Sequence, residues 1–151
     1  MNLHTTTRVP VNDSYASLLG KAVYVFAYYE WTIIYIIEKL EPGFVTRYSR
    51  GKPMTSGVVS KKFENVINPL PNTPQDLLDC HTKFSALVDR RNTLIHAHPA
   101  RASDGSDILA YQTDPRRKFP NVQWSNGDAE LLIKDIDNAA VEAGQLLEKL
   151  Q

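Results

Sequence analysis

Apolar positions along the chain fall into four runs with helical spacing and two short runs with strand-like character. The first run is the strongest. Asn12 or Ser14 can cap a helix that continues to the stop signal Glu41-Pro42-Gly43. Inside it, residues 22–37 read AVYVFAYYEWTIIYII, apolar nearly all the way round. This run is shorter than the roughly 20 residues a bilayer span needs, and Glu30 stands at its centre. It therefore predicts a central helix buried on several sides, by its own domain or by a second subunit.

Residues 44–55, with Arg47, Arg50, Gly51, Lys52 and Pro53, read as a loop. Residues 56–68 form a weaker helical pattern carrying Lys61 and Lys62, ended by Pro69 and Pro71. Thr73-Pro74-Gln75-Asp76 supplies an N-cap, a proline at the first helical position and an acid in the first turn. The helix that follows should reach about Ala97, because Pro99 disfavours helix at His98. Residues 100–125 then change character. Asp104-Gly105 is a turn signal, and residues 108–112 and 122–124 are strand candidates on either side of a stretch holding Arg116, Arg117 and Lys118. Ser125-Asn126-Gly127-Asp128 resembles a capping box, opening a last helix with Leu131, Leu132, Ile136, Ala139, Ala140, Ala143, Leu146, Leu147 and Leu150 on its inner side.

Three long helices and a short one predict an all-α fold, an antiparallel bundle of about four helices with a small hairpin-like insertion before the last. Residues 1–11 are polar enough for a flexible arm, and 12–151 read as one domain. Lys plus Arg and Asp plus Glu are both 17, so no global charge draws the chain to nucleic acid or a membrane, and an anionic partner must meet a local patch. Cys80 is the only cysteine, which excludes an internal disulfide. With no basic-then-apolar leader in residues 1–8, a cytoplasmic location is expected.

A wheel of residues 74–97 puts Leu77, Cys80, Phe84, Leu87, Val88, Leu94 and Ile95 on one apolar arc. Asp79, Thr82, Lys83 and Arg90 face solvent, while His81, Ser85, Asp89, Asn92 and His96 line a flank between the two arcs. Arg91 projects near the middle of the apolar arc, where a guanidinium cannot stay unpaired. Glu30 is its mirror image in the first helix, so the two are expected to meet in a charge-assisted contact. Asn92 and His96, at i and i+4, are neighbours. A cation, an amide and an imidazole within one and a half turns suit cleavage of a phosphodiester whose own 2′-hydroxyl is the nucleophile. His96 would be the general base or acid, Arg91 would hold the phosphate and Asn92 would orient it, with no metal or cofactor.

Arg91-Asn92-Thr93-Leu94-Ile95-His96 resembles the motif of HEPN-domain proteins (higher eukaryotes and prokaryotes nucleotide-binding), an Arg followed by a polar residue and, after four to six residues, a His. The long first helix with its Glu30-Trp31 pair and the closing amphipathic helix extend the likeness over roughly residues 14–150. The resemblance implies a helical bundle, often a homodimer that brings two motifs into one cleft. It implies a metal-independent endoribonuclease of toxin–antitoxin or phage-defence type, with Arg91 and His96 catalytic, Asn92 in support and RNA as substrate; Glu30 joins the supporting residues through its expected contact with Arg91. A cognate antitoxin or nucleotidyltransferase would be a further partner. One toxin subgroup carries Tyr two residues after the His, where this chain has His98, and the 100–125 insertion lies outside the minimal domain.

Simpler readings stand beside these. His96 and His98 can be helix-end residues bonded to the last carbonyls. His-x-His also suggests a metal-dependent hydrolase, but on a helix i and i+2 point apart, and no acidic or Cys cluster lies near them in sequence. Lys61, Lys62, Arg116, Arg117 and Lys118 serve RNA binding only if they flank the His96 cleft, and otherwise are solvated charge. The alternative for the whole chain is a non-catalytic helical module that binds a nucleotide, RNA or a protein, with Arg91 structural.

Overall fold

A computed structural model describes residues 9–112 and 121–150. Five helices occupy 69% of the described residues. They are α1 (Asp13–Leu40), α2 (Phe44–Arg50), α3 (Ser56–Ile67), α4 (Gln75–Ile95) and α5 (Asn126–Lys149). Between α4 and α5 lie three strands, β1 (His98–Arg101), β2 (Asp107–Tyr111) and β3 (Val122–Trp124), forming an antiparallel sheet in the order β1-β2-β3. The expected all-α bundle of about four helices is thus corrected to a mainly helical fold with a small sheet.

Helix α1 starts where the Asn12 side chain accepts the Tyr15 N–H, 3.1 Å away, with Asp13 in its first turn. Its Ile33, Ile34, Ile36 and Ile37 have no measurable exposure. Each β-branched residue costs a helix a few tenths of a kcal/mol, but full burial of an Ile contributes about 1.5–3 kcal/mol. Packing therefore decides the conformation. Phe26, Tyr29 and Phe84 form an aromatic cluster joining α1 to α4, with centroid separations of 5.4–6.3 Å. Helix α5 covers a second side of α1, and α3 and α2 a third. Ion pairs rim this core, Lys83 to Glu142 and Arg90 to Asp135 at 2.7 Å, each joining α4 to α5.

Helix α2 falls where a loop was expected. Gly43, at φ 92°, turns the chain at its start, and the Glu38 carboxylate accepts from the Gly43 N–H (2.9 Å) and the Val45 N–H (2.8 Å). That cap comes from the preceding helix, so no local pattern announces it. At the start of α4, Thr73 turns back to donate to the Ile67 and Leu70 carbonyls, and Pro74 takes the N-cap position. Two inner-face assignments are corrected: Ile95 at the end of α4 and Leu131 in the first turns of α5 are exposed, because the described fold leaves both positions uncovered.

Helix α4 ends at Ile95, slightly earlier than its pattern suggests, with His96 as C-cap. Residues 98–101 become β1, since Pro99 pushes His98 into extended backbone. The Asp104-Gly105 signal forms the turn of the β1–β2 hairpin, with Gly105 at φ 87° and the Asp104 side chain accepting the Ser106 N–H at 2.9 Å. The hairpin pairs His98 with Ala110 and Arg101 with Asp107. The expected pairing of the segments at 108–112 and 122–124 is present as β2–β3. Tyr15 attaches this sheet to α1: its hydroxyl accepts the Leu109 N–H (2.9 Å) and donates to the Trp124 carbonyl (2.6 Å).

Two outcomes follow. Replacing Tyr15 with Phe removes one buried and one part-buried hydrogen bond to backbone groups and should cost about 1–3 kcal/mol in urea unfolding. A loss within the error of the wild-type measurement would show that the sheet is held otherwise. The second concerns acid stability. The backbone hydrogen bonds from Gly43 and then Val45 hold Glu38 below its ordinary value of about 4.5. Its contribution is present above that value and lost as pH falls through the depressed folded one. Thermal melts across the acid limb, roughly pH 5 to 3, should show a weaker pH dependence in Glu38→Gln than in wild type.

Candidate active site

The last two turns of α4 carry the candidate residues. Arg91 points inward, as the wheel requires. The face of its guanidinium lies over the Phe26 ring of α1, 4.5 Å from the centroid, and its Nη2 donates to the Ser56 hydroxyl at the start of α3. Ser56 is itself buried, following the N-cap Thr55, whose side chain accepts the Val58 N–H. Three elements thus fix one guanidinium: α4 supplies it, α1 stacks it and α3 orients it. Arg91 as a residue is half-buried.

The contact expected between Glu30 and Arg91 does not close into an ion pair. The Arg91 hydrogen bond goes to Ser56, while Glu30 Oε2 and Arg91 Nε are both buried without a partner. The two charges act through space instead. Burial pulls the Arg91 pKa below the ordinary guanidinium value and the Glu30 carboxylate opposes that pull. Burial, and then the same carboxylate, hold the Tyr48 phenol above its ordinary value. An unpartnered buried polar atom costs about 1–3 kcal/mol, and a cation–π contact returns about 0.5–2 kcal/mol. The cluster is therefore a poor source of stability.

Asn92 and His96 sit on the flank beside it, Asn92 half-buried and His96 exposed as the C-cap of α4, its N–H bonded to the Asn92 carbonyl at 3.0 Å. Among the described residues no hydrogen bond joins the side chains of Arg91, Asn92 and His96 to one another. His98 lies in a different element, at the start of β1, with Nδ1 3.0 Å from the Pro99 carbonyl oxygen. Among the described residues no three His, Cys, Asp or Glu side chains gather into a metal-binding group.

Lys61 and Lys62 lie farther along the helix that begins with Ser56. Lys61 pairs with Glu64 (2.6 Å) and Lys62 with Glu41 (2.8 Å), so each already has a carboxylate. Arg116, Arg117 and Lys118 lie outside the described residues. Ser56, Phe26 and Tyr48 are the site neighbours the sequence did not reveal. Ser56 meets Arg91 across 35 positions of chain, and Phe26 looks like any other core aromatic. Cys80, packed against the core, is pushed up to about 12 by burial and then by Glu142, so its thiol stays protonated. Among the described residues no helix is long and apolar enough to cross a membrane.

A double-mutant cycle tests the through-space link. Because the cluster adds little stability, Glu30→Gln and Arg91→Met should each change it only modestly, and the pair should show a coupling of about 0.5–3 kcal/mol in denaturant unfolding. Simple additivity would dissolve the proposed relation between Glu30 and Arg91. Comparison of the chain with protein-family models, with curated proteins and with solved structures finds no match.

Proposed function

We propose that the chain is a metal-independent endoribonuclease of the HEPN type, acting as a homodimer, with Arg91 and His96 as its catalytic residues. The observation that carries this reading is the placement of Arg91: a guanidinium held over Phe26 by Ser56, with a buried Nε left unpartnered, about one and a half turns from the exposed imidazole that caps the same helix. Charged groups kept where they do not help the fold are frequent at functional sites.

The chemistry follows from the groups. A 2′-hydroxyl of RNA attacks the adjacent phosphorus while an imidazole removes its proton. The guanidinium binds the phosphate oxygens and offsets charge as the fifth bond forms. The 5′-oxygen leaves with a proton, giving a 2′,3′-cyclic phosphate and a 5′-hydroxyl end. Asn92, one residue from Arg91, orients the phosphate or the imidazole, and Glu30 sets the field around the guanidinium. A toxin–antitoxin or phage-defence role, with an antitoxin or nucleotidyltransferase as partner, belongs to the same proposal.

A second reading has its own support. The stacking on Phe26 and the bond to Ser56 would serve equally well an Arg91 that only braces α4 against α1 and α3 in a module that binds a nucleotide, RNA or protein. Incubation of the pure protein with mixed RNA in EDTA separates the two. The catalytic reading expects cleavage to cyclic-phosphate ends, reduced about 10²–10⁴-fold in His96→Ala and about 10²–10³-fold in Arg91→Ala. Intact RNA with folded wild-type protein would leave the binding module, and activity lost only in EDTA would point to metal-assisted hydrolysis through His96 and His98.

A further inference from the structure

A groove of about 460 Å³ opens where the last turns of α4 meet β3 and the start of α5. Its volume falls in the range of about 300–1,000 Å³ that small-molecule sites occupy. Part of its lining is apolar: Val122, the buried Trp124, and Leu131, which no element of the described fold covers. The Trp124 Nε1 is buried without a partner, so polar groups are left unsatisfied here as they are around Arg91. The rest of the lining is polar. The Asp89 carboxylate and the Asn121 and Gln123 amides are exposed, and among the described residues no hydrogen bond or ion pair holds any of the three. Asp128 gives one carboxylate oxygen to the Ser125 hydroxyl in the capping box, at 2.6 Å.

We propose that this groove binds a guanine base of the RNA, next to the scissile phosphate. Charge argues against a phosphate as the occupant. The lining sets Asp89 and Asp128 against one cation, Arg90, whose guanidinium is held by Asp135 at 2.7 Å. Lys134, farther along α5, is not part of the lining, and Arg116, Arg117 and Lys118 lie outside the described residues. An uncharged ring that donates hydrogen bonds suits such a groove. Bases bound out of the stack are read along their Watson–Crick edge and held against apolar side chains, here Val122 and Leu131. On guanine that edge carries adjacent N1–H and N2–H donors, which meet both oxygens of one carboxylate, and its O6 and N7 accept from side-chain amides. Adenine and cytosine present a single amino group there and uracil a single N–H, so each leaves a carboxylate oxygen unmet. Asp89 is the carboxylate for this edge, with the Asn121 and Gln123 amides as donors to O6. The groove also lies on the His96 side of α4. At about 100° per residue, Asp89, Thr93 and His96 fall within roughly 60° of one another, and Thr93 stands about 4.5 Å of helix rise before His96. A base seated against Asp89 and Thr93 directs its ribose toward the imidazole, so the guanosine 2′-hydroxyl is the one that attacks and cleavage falls on its 3′ side.

The base site rests on the ribonuclease reading for the step that follows binding, whereas the contacts to the base do not need it. The test is titration of the full chain with the 3′-monophosphates of guanosine, adenosine, cytidine and uridine, followed by heteronuclear NMR, for wild type and Asp89→Asn. Thermal melts verify that the substitution at this exposed position leaves the fold intact. Wild type is expected to bind the guanosine nucleotide at least about tenfold more tightly than the other three, with shifts gathered on the groove residues and the Trp124 indole signal among them. Asp89→Asn should abolish that preference. Absent or equal binding of the four nucleotides overturns the proposal, and so does a guanosine preference that Asp89→Asn leaves unchanged. A guanosine preference that depends on Asp89, beside mixed RNA that stays intact, supports the base site and ends the ribonuclease reading. RNA cut without preference for guanine, in wild type and Asp89→Asn alike, does the reverse.

Discussion

Burial of one broad face of α1 is the constraint on which the rest of the structure depends. Phe26, Tyr29 and the isoleucines at 33, 34, 36 and 37 must leave water, and no single neighbour is wide enough to cover them. Helices α5, α4, α3 and α2 each take part of that face, and Tyr15 near the start of α1 extends its hold to the sheet. The ion pairs at the rim are exposed and contribute little, about 0–1 kcal/mol each. The apolar contacts of α1 carry the fold, and the elements around it are placed by their fit to it.

The candidate site is a by-product of that placement. Three helices converge where Arg91 enters the apolar layer, and the guanidinium finds a ring for its face and a hydroxyl for one donor. It does not find a carboxylate within ion-pair reach, although Glu30 is close enough to shift the Arg91 equilibrium. The fold thus keeps a charge in an environment that only partly satisfies it. Substrate phosphate, under the ribonuclease reading, would supply the missing partner. Under the structural reading the remaining imbalance is a standing cost to stability.

Much of the helical plan could be read from local pattern. The Asn12 cap, the Glu41 stop, the helix from Ser56, the Ser125–Asp128 capping box and strand Val122–Trp124 all stand where short-range rules put them, because those signals act within a turn of the backbone. The misses share one cause, which is distance along the chain. Helix α2 needs a carboxylate from the preceding helix at its N-terminus. Strand β1 exists only because β2 returns to pair with it across the Gly105 turn. Ile95 and Leu131 fit their helical periodicities, but the neighbours that would bury them are missing from those positions.

For the site, the sequence by itself determined that Arg91 must point into the core side of α4 and that Asn92 and His96 share a flank, since both follow from 3.6 residues per turn. The tertiary structure alone decided what the guanidinium meets. Ser56 and Phe26 took the contacts that charge complementarity assigned to Glu30, because hydrogen-bond reach depends on how three helices pack and not on which residues carry opposite charge. The same holds for α1. Its composition required burial nearly all round, whereas the packing of this one chain covers Ile33 and Ile37 and leaves Tyr24 and Tyr28 in solvent. A chain of this size has only enough other elements to cover part of such a helix.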